Sequence, residues 1–199
     1  MEEIKKMENN KNQTKVVTGI NTRWSYVHVF EPYDPNGNEA NAKYSVCLII
    51  PKNDEETVNK IKNAIKCAYE EGEAKLKGSN GKLPTFESLR NPLHDGDLEK
   101  LGDEVYANSY YLNAKTNKKP GIVDRALNEI TDPEAVYSGC YGRASITFYA
   151  YNFNGNKGIA CSLNNLQLVK DGERLSGRAS AKSDFQSADG DLLDDDMWF

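Results

Sequence analysis

The chain has 199 residues, 38% of them hydrophobic and 10% aromatic, and its formal net charge is −5. This length suits one domain with appendages, and the aromatic content is sufficient for a buried core. No apolar run approaches the roughly 20 residues that span a bilayer, and residues 1–15 contain no apolar signal-peptide segment. The composition argues against a membrane protein and predicts a soluble, cytoplasmic one.

The negative charge is concentrated at the C-terminal end. Six aspartates and no Lys or Arg lie between Asp184 and Phe199, and without these six acids the net charge changes from −5 to +1. The remaining chain is therefore nearly neutral to slightly basic. Such an asymmetry between a body and its tail is typical of proteins that work on nucleic acid.

The first strand-like segment runs from Lys15 to Pro32 and is rich in β-branched and aromatic residues. Asn36-Gly37 separates it from a second strand-like run that includes the apolar residues 46–50. Because Asn and Gly tolerate positive φ, this dipeptide is a strong hairpin signal. The sequence predicts a long antiparallel hairpin here.

One helix is predicted, from about Asp54 to Lys77. Asn53 or Asp54 can cap it, acidic residues fill its first turn, and Gly78 follows its end. Its apolar residues recur at helical spacing, at Val58, Ile61, Ile65 and Ala68. We expect this face to pack on a sheet and the lysines of the other face to be solvated.

Residues 78–104 are punctuated by Gly and Pro and are predicted to be irregular. A strand is predicted within residues 104–116, followed by a basic turn that leads into a short strand. Two more strands flank Asn154-Gly155, a second hairpin dipeptide. From Gly172 onward the chain is dominated by Ser, Gly, Ala and Asp, which is typical of disorder.

These elements predict a mainly β fold with one inserted helix. Strands joined by hairpins favour a small Greek-key barrel over a parallel α/β sheet. We expect a five-stranded oligonucleotide-binding (OB) barrel with extended hairpins. The predicted divisions are a flexible N-terminus at residues 1–14, an OB domain at 15–171 and a disordered acidic tail at 172–199.

The predicted strand at residues 143–153 offers the clearest binding face. Alternation places Ala144, Ile146, Phe148 and Ala150 inward. Outward-facing candidates for contact with single-stranded nucleic acid are Arg143, Tyr149 and Tyr151. Tyrosines stack on bases, and a cation meets phosphates. The alternative is that these tyrosines pack beneath a loop or a second subunit.

A second combination of aromatic and basic residues begins at Tyr111, where Leu112 and Ala114 alternate inward and leave Tyr111, Asn113 and Lys115 outward. The candidates for nucleic-acid contact are Tyr111, Lys115, Lys118, Lys119 and Arg125, and Lys157 in the second hairpin is another. The alternative is that lysines in turns serve only for solvation.

A third stretch, residues 23–30, alternates aromatic and other residues. This alternation does not show which face is buried, so Trp24 and Tyr26 are further candidates.

Enzyme and metal signals are weak. The four cysteines form no CxxC pair, the two histidines lie far from any close cysteine pair, and buried reduced thiols are expected. No P-loop, GxSxG or HExxH motif occurs. The carboxylates of residues 94–99 are more typical of turn chemistry than of a metal-dependent nuclease. The sequence predicts no catalytic residue, no metal and no cofactor.

The C-terminal hexapeptide DDDMWF resembles the acidic tip of bacterial single-stranded DNA-binding proteins, which ends in several Asp followed by Ile-Pro-Phe. The matching positions are Asp194, Asp195, Asp196 and Phe199. Met197 replaces Ile conservatively, whereas Trp198 stands where the bacterial tip has Pro. This resemblance implies that the tip recruits replication and repair proteins through its Phe, its acids and its terminal carboxylate.

The body, roughly from Val17 to Asp171, resembles a family of tailed-phage single-stranded DNA-binding proteins with one OB barrel. The segments that carry this resemblance include SYVHVFEP, YSVCLIIPK, RNPLHDGD and ITDPEAVYSGCYGRASITFYAYN. The resemblance implies the OB fold, single-strand binding and a partner role for the acidic tail. It implies no map of individual DNA contacts.

We therefore predict a non-enzymatic protein that coats single-stranded DNA without strong sequence preference during phage replication or recombination. Its expected partners are single-stranded DNA and replication or recombination proteins bound by the tip, in the host cytoplasm if a phage encodes it. A homodimer is left open. The rival interpretations are an acidic DNA mimic, which the concentration of acids in the tail disfavours, and a metal nuclease at residues 94–97.

Overall fold

The structure is a computed structural model that describes residues 13–78 and 81–175. Within these ranges the chain forms eight β-strands and three α-helices. The strands are β1 (Lys15–Val17), β2 (Arg23–Tyr33), β3 (Lys43–Pro51), β4 (His94–Asp95), β5 (Ser109–Thr116), β6 (Gly121–Val123), β7 (Tyr141–Phe153) and β8 (Asn156–Lys170). The helices are α1 (Glu55–Glu71), α2 (Glu73–Lys77) and α3 (Gly96–Glu99).

Five of the strands close into a barrel. β2 pairs with β3, and β3 with β5, both antiparallel. β8 then runs parallel to β5 and antiparallel to β7, and β7 returns to β2 through the pair Arg23–Tyr141. This order is that of the five-stranded Greek-key OB barrel, so the predicted fold class is confirmed. The three short strands β1, β4 and β6 extend the sheet.

The barrel interior is filled by alternate residues of each strand. On β7, Ala144, Ile146, Phe148 and Ala150 are buried, as alternation predicts. Trp24 is fully buried among them and is the largest side chain of the core. The inward-facing side chains remove a large apolar area from water when the barrel folds, and this burial is the main source of its stability.

The predicted helix is confirmed, with a division at Gly72 into α1 and α2. The Asp54 side chain accepts a hydrogen bond from the Thr57 amide and so caps α1. Ile61, Ile65 and Ala68 are buried on its inner face. That face packs against β7 and β1.

The two predicted hairpins differ in their turns. Asn154 and Gly155 both have positive φ, and they join β7 to β8 as the dipeptide predicts. β2 and β3 also form a hairpin, but their connection spans residues 34–42 and contains a short 3-10 turn. The predicted antiparallel hairpin is therefore confirmed, with Asn36-Gly37 inside a longer loop in which the Gly37 amide donates to the Asp34 carbonyl. Asn38 caps the 3-10 turn, so the loop between β2 and β3 contains local hydrogen-bonded structure.

Described residues beside both predicted boundaries contact the body. Thr14 is buried and its carbonyl accepts a hydrogen bond from the Phe148 amide. β8 ends at Lys170, and residues beyond it still contact the body. The Leu175 amide donates to the Ser138 carbonyl, for example. None of the described helices is both long and apolar enough to cross a membrane.

Candidate nucleic-acid interface

A bulge in β2 separates the two aromatic candidates of this strand. The pairing with β3 shifts register between Ser25 and His28, and Tyr26 within this interval has φ 47°. The extra residue re-aims the side chains that follow. Trp24 therefore faces the core with none of its surface exposed, whereas Tyr26 is 64% exposed. Trp24 cannot stack on a base, so its prediction as a contact residue is wrong.

Beyond the bulge, polar side chains line up across the outside of the barrel. The backbone register places His28 beside Ser45, Ser45 beside Lys115, and Lys115 beside Ser162. Residues directly opposite one another on neighbouring strands share a face of the sheet. The row therefore crosses four strands, β2, β3, β5 and β8, on the side opposite the core.

A groove lies along this row and is called here the central groove. Its volume is about 570 Å³. None of the described residues that line it is acidic. They are Lys43, Pro92, His94, Asn113, Lys115, Thr116, Asn117, Lys118, Tyr149, Ala160, Cys161 and Ser162.

A second depression, called here the side niche, continues the central groove toward the β2–β3 loop. Its volume is about 350 Å³, and it shares Lys43, Asn113 and Lys115 with the groove. Its other lining residues include Tyr26, His28, Tyr33 and Asn41. The two depressions form one path across the barrel.

The aromatic end of the side niche is formed by two stacked rings. The imidazole of His28 and the ring of Tyr33 are 4.3 Å apart between centroids and 12° from parallel. Tyr33 is half exposed, so the surface of its ring that His28 leaves uncovered is open to a further planar group. Partial burial lowers the pKa of His28, because burial disfavours its charged form.

The cations of the path are available to a ligand. Within residues 13–78 and 81–175, the ammonium groups of Lys43, Lys115 and Lys118 have no ion-pair or hydrogen-bond partner. Some lysines elsewhere are ion-paired, as Lys52 is with Asp95 and Lys77 with Glu73. The path therefore carries three unpaired positive charges, and Asp34 of the side niche is the one acid among its described lining residues.

Tyr149 stands at the opposite end of the central groove. Its side chain is on the outer face of β7, as predicted, and is 46% exposed. Partial burial raises the pKa of its hydroxyl, so the ring is neutral over the physiological range. The path thus has exposed tyrosines at both ends and lysines between them.

Tyr111 lies on the predicted outer face of β5 but is covered, with 8% of its surface exposed. His94 stacks on it with centroids 5.0 Å apart, and Tyr106 meets it edge-on. Burial, and then the neighbouring Glu99 carboxylate, raise the pKa of Tyr111. The prediction that Tyr111 contacts nucleic acid is wrong for this reason. Sequence alternation gives the face but not the loop that covers it.

The carboxylates of residues 94–99 are held by neighbouring side chains. Lys52 Nζ lies 2.7 Å from an oxygen of Asp95 and 2.7 Å from one of Asp97. His94 Nδ1 lies 2.9 Å from Glu99. In the described part of the chain, no group of three or more His, Cys, Asp or Glu side chains could hold a metal ion.

The remaining predicted contacts lie outside the path. Arg143 Nε donates to the Thr18 carbonyl, and Lys119 Nζ lies 5.5 Å from the centroid of Phe30. Lys157 Nζ donates to the Lys77 carbonyl. Arg125 is exposed in the loop after β6, and Tyr151 is half buried.

The predicted partner-binding residues of the tail lie outside the described residues. They are Asp194, Asp195, Asp196, Met197, Trp198 and Phe199.

Lys43, Tyr33 and Asn41 are among the path residues that the sequence did not predict. Lys43 could have been found, because residues 46, 48 and 50 point inward and alternation then places residues 43 and 45 outward. Tyr33 and Asn41 had no such signal. Their positions depend on a loop between β2 and β3 whose course the sequence does not specify.

Comparison with known proteins identifies the relatives of this chain. The family model described as the single-stranded DNA-binding protein of Enterobacter phage Enc34 matches residues 14–197. Protein p50 of Acyrthosiphon pisum secondary endosymbiont phage 1 is 33% identical over 163 residues, which are 79% of this chain and 84% of that protein.

Two solved structures are similar in fold. The bacteriophage Enc34 single-stranded DNA-binding protein in complex with single-stranded DNA has a TM-score of 0.67 at 23% identity, covering 82% of this chain and 90% of that one. The single-stranded DNA-binding protein encoded by bacteriophage T7 has a TM-score of 0.59 at 15% identity, covering 83% and 97%. The extent of the family match decides the assignment. The chain belongs to the family of the Enterobacter phage Enc34 single-stranded DNA-binding protein.

Proposed function

We propose that the chain binds single-stranded DNA along the central groove and the side niche. The observation that carries this proposal is the set of unpaired ammonium groups of Lys43, Lys115 and Lys118 between exposed tyrosines. Phosphates meet the lysines while bases stack on the rings, which is how single strands are bound without sequence readout. We therefore expect little sequence preference.

The position of the path on the barrel supports the same function. The path crosses the outer face of β3 and β5, which are the second and third strands of the barrel, and ends beside the β2–β3 loop. OB barrels bind oligonucleotides on this face and with the loops that flank it. One relative of the same fold was solved with single-stranded DNA.

The biological role follows from the family and the tail. We propose that the OB domain, residues 15–171, coats single-stranded DNA in phage replication or recombination. The acidic tail, residues 172–199, recruits replication or recombination proteins through residues 194–199. The host cytoplasm is the compartment in which this role is carried out. The proposal involves no cofactor and no chemical reaction.

Titration with single-stranded and double-stranded oligonucleotides at two salt concentrations tests the binding function. We expect a preference for the single strand and an affinity that falls as salt rises, because counterions are released on binding. Replacing Lys43, Lys115 and Lys118 with Gln should reduce the log–log salt slope by up to ~0.7 for each lost phosphate contact.

A matched variant carries the same change of charge elsewhere. Lys15, Lys66 and Lys75 are exposed, have no ion-pair partner among the described residues and line neither depression. Their replacement with Gln should leave the salt slope nearly unchanged. Equal slopes for the two triple variants, or a preference of the native chain for duplex, would contradict the proposal.

A further inference from the structure

The outer face of the β7–β8 hairpin continues the path beyond Tyr149. Tyr149, Tyr151 and Phe153 share this face because they alternate along β7. Side chains two residues apart on a strand are about 6.5–7 Å apart. Phe153, at the tip of the hairpin, is 71% exposed. Tyr149, Tyr151, Phe153 and the neighbouring Arg90 are called here the hairpin ladder.

Small residues on β8 leave room beside the tyrosines. Tyr149 pairs with Ala160, and Tyr151 pairs with Gly158. A Cβ atom at Gly158 would lie 2.9 Å from the Cβ of Arg90 and 2.9 Å from a ring carbon of Tyr151. Only glycine therefore lets Arg90 and Tyr151 approach β8 this closely.

The backbone of Arg90 is fixed to the edge of the hairpin. Its amide donates to the Lys157 carbonyl at 3.4 Å, and its carbonyl accepts from the Ile159 amide at 3.0 Å. Arg90 is exposed, and within the described ranges its guanidinium has no ion-pair partner. A free cation is thus held beside the aromatic row.

The hairpin itself is anchored to the end of α2. Asn152 Nδ2 donates to the Lys75 carbonyl at 3.1 Å, and Lys157 Nζ donates to the Lys77 carbonyl at 3.3 Å. These bonds satisfy carbonyls that a helix end leaves without partners. They also hold the hairpin in place, so that a ligand does not have to order it on binding.

We infer that the bound single strand continues past Tyr149 along the hairpin ladder, with a base on Phe153 and a phosphate beside Arg90. This inference rests on the proposed function and adds a contact that only a longer strand can reach. A short strand is held by the lysines of the central groove. A strand that extends past Tyr149 also gains the stacking surface of Phe153.

The test compares two oligothymidylates, of about 5 and about 15 nucleotides, near the two ends of the range for one OB fold. Each is titrated into the native chain and into Phe153→Ala. We expect the variant to bind the longer strand about tenfold more weakly, as the loss of one base stack predicts, and the shorter strand within about twofold of the native affinity.

Three variants sharpen the comparison. Phe153→Trp should restore binding of the longer strand, because it restores an aromatic surface. Leu101→Ala removes another large apolar side chain, which is 83% exposed and lines neither depression, and should bind both strands normally. Arg90→Ala retains the Cβ that packs over Gly158 and should flatten the salt dependence for the longer strand only.

The outcomes separate this inference from the proposed function. If the native chain binds neither strand, the proposed function fails. If the native chain binds both and Phe153→Ala matches it, or weakens both equally, the hairpin ladder is not part of the path. A change in oligomeric state of Phe153→Ala at native affinity would instead make the hairpin tip a contact between copies and would overturn the inference.

Discussion

Tyr149 is half exposed at one end of the central groove, and its neutral ring presents a surface on which a base can stack. Replacing it with Ala should weaken binding of single-stranded DNA by about 1–3 kcal/mol. The free energy of unfolding should change little, because the side chain is not part of the core. Fluorescence titration and thermal unfolding of the same samples measure both quantities.

The control for this change is Tyr149→Phe, which keeps the ring and removes only the hydroxyl. It should bind as the native chain does. Native affinity of Tyr149→Ala, in a variant that unfolds at the native temperature, would remove Tyr149 from the interface.

His28 makes the free energy of unfolding depend on pH. Burial lowers its pKa below the ordinary value of 6.5, so the unfolded chain takes up a proton at a higher pH than the folded chain does. Above pH 6.5 His28 is neutral in both states and does not lower the free energy of unfolding. As pH falls from 6.5 through the lowered pKa, the unfolded chain binds the proton first, so the free energy of unfolding declines.

His28→Gln should flatten this dependence, which urea unfolding at a series of pH values measures. The other described histidine, His94, is present in both proteins and cancels in the comparison. An unchanged pH dependence in the variant would show that His28 does not titrate in this way.

The bulge in β2 determines which aromatic side chains of that strand reach solvent. It holds Tyr26 at positive φ, where a Cβ atom crowds the following carbonyl. Tyr26→Gly should raise the free energy of unfolding by about 0.5–1 kcal/mol, since relief of the strain is partly offset by backbone entropy. Single-strand binding should weaken at the same time, because Tyr26 lines the side niche.

Tyr26→Ala separates the two effects. Alanine also lacks the ring but retains the Cβ, so it should bind as weakly as the glycine variant without its gain in stability. Urea unfolding and oligonucleotide titration of the two variants measure this difference. A glycine variant less stable than the alanine variant would argue against backbone strain at this position.

Strand alternation and hairpin dipeptides were enough to predict the barrel and its buried face on β7, and helical spacing with capping residues predicted the helix. The sequence patterns also predicted Lys115, Lys118, Tyr26 and Tyr149, which line the path. Trp24 was mispredicted because a bulge depends on the pairing with another strand, and Tyr111 because His94 and Tyr106 of the preceding segment cover it. Such features depend on pairing and packing between different elements, which the alternation within one strand does not contain.

The chain as a whole combines a path lined mainly by neutral and basic residues with an acidic C-terminal segment. Deleting residues 191–199 removes four of the six terminal aspartates. We expect single-strand binding to remain intact or to become slightly tighter, because these acids no longer compete with phosphates. The gain should shrink as salt screens the charges.

The same deletion should abolish capture of replication proteins, because in the proposed function Trp198 and Phe199 supply the apolar anchor that acids alone lack. Pull-down from infected-cell lysate with full-length and truncated protein measures this loss. Substituting only Trp198 and Phe199 with Ala should abolish capture while leaving the charge unchanged. Loss of DNA binding or of the fold on truncation would show that the tail belongs to the body.

The junction of β5 and β8 runs beneath the central groove. In the described chain these strands pair at two positions, Ala114 with Cys161 and Lys115 with Ser162, whereas β7 and β8 pair along almost their full length. Local unfolding should begin where few backbone hydrogen bonds must break. A nucleic-acid strand lying across this junction would hold its two sides together, so amide hydrogen exchange at residues 113–116 and 160–163 should slow more than in α1. The ligand would then reinforce one of the two sparsely paired seams of the barrel, the other being the single pair between β2 and β7.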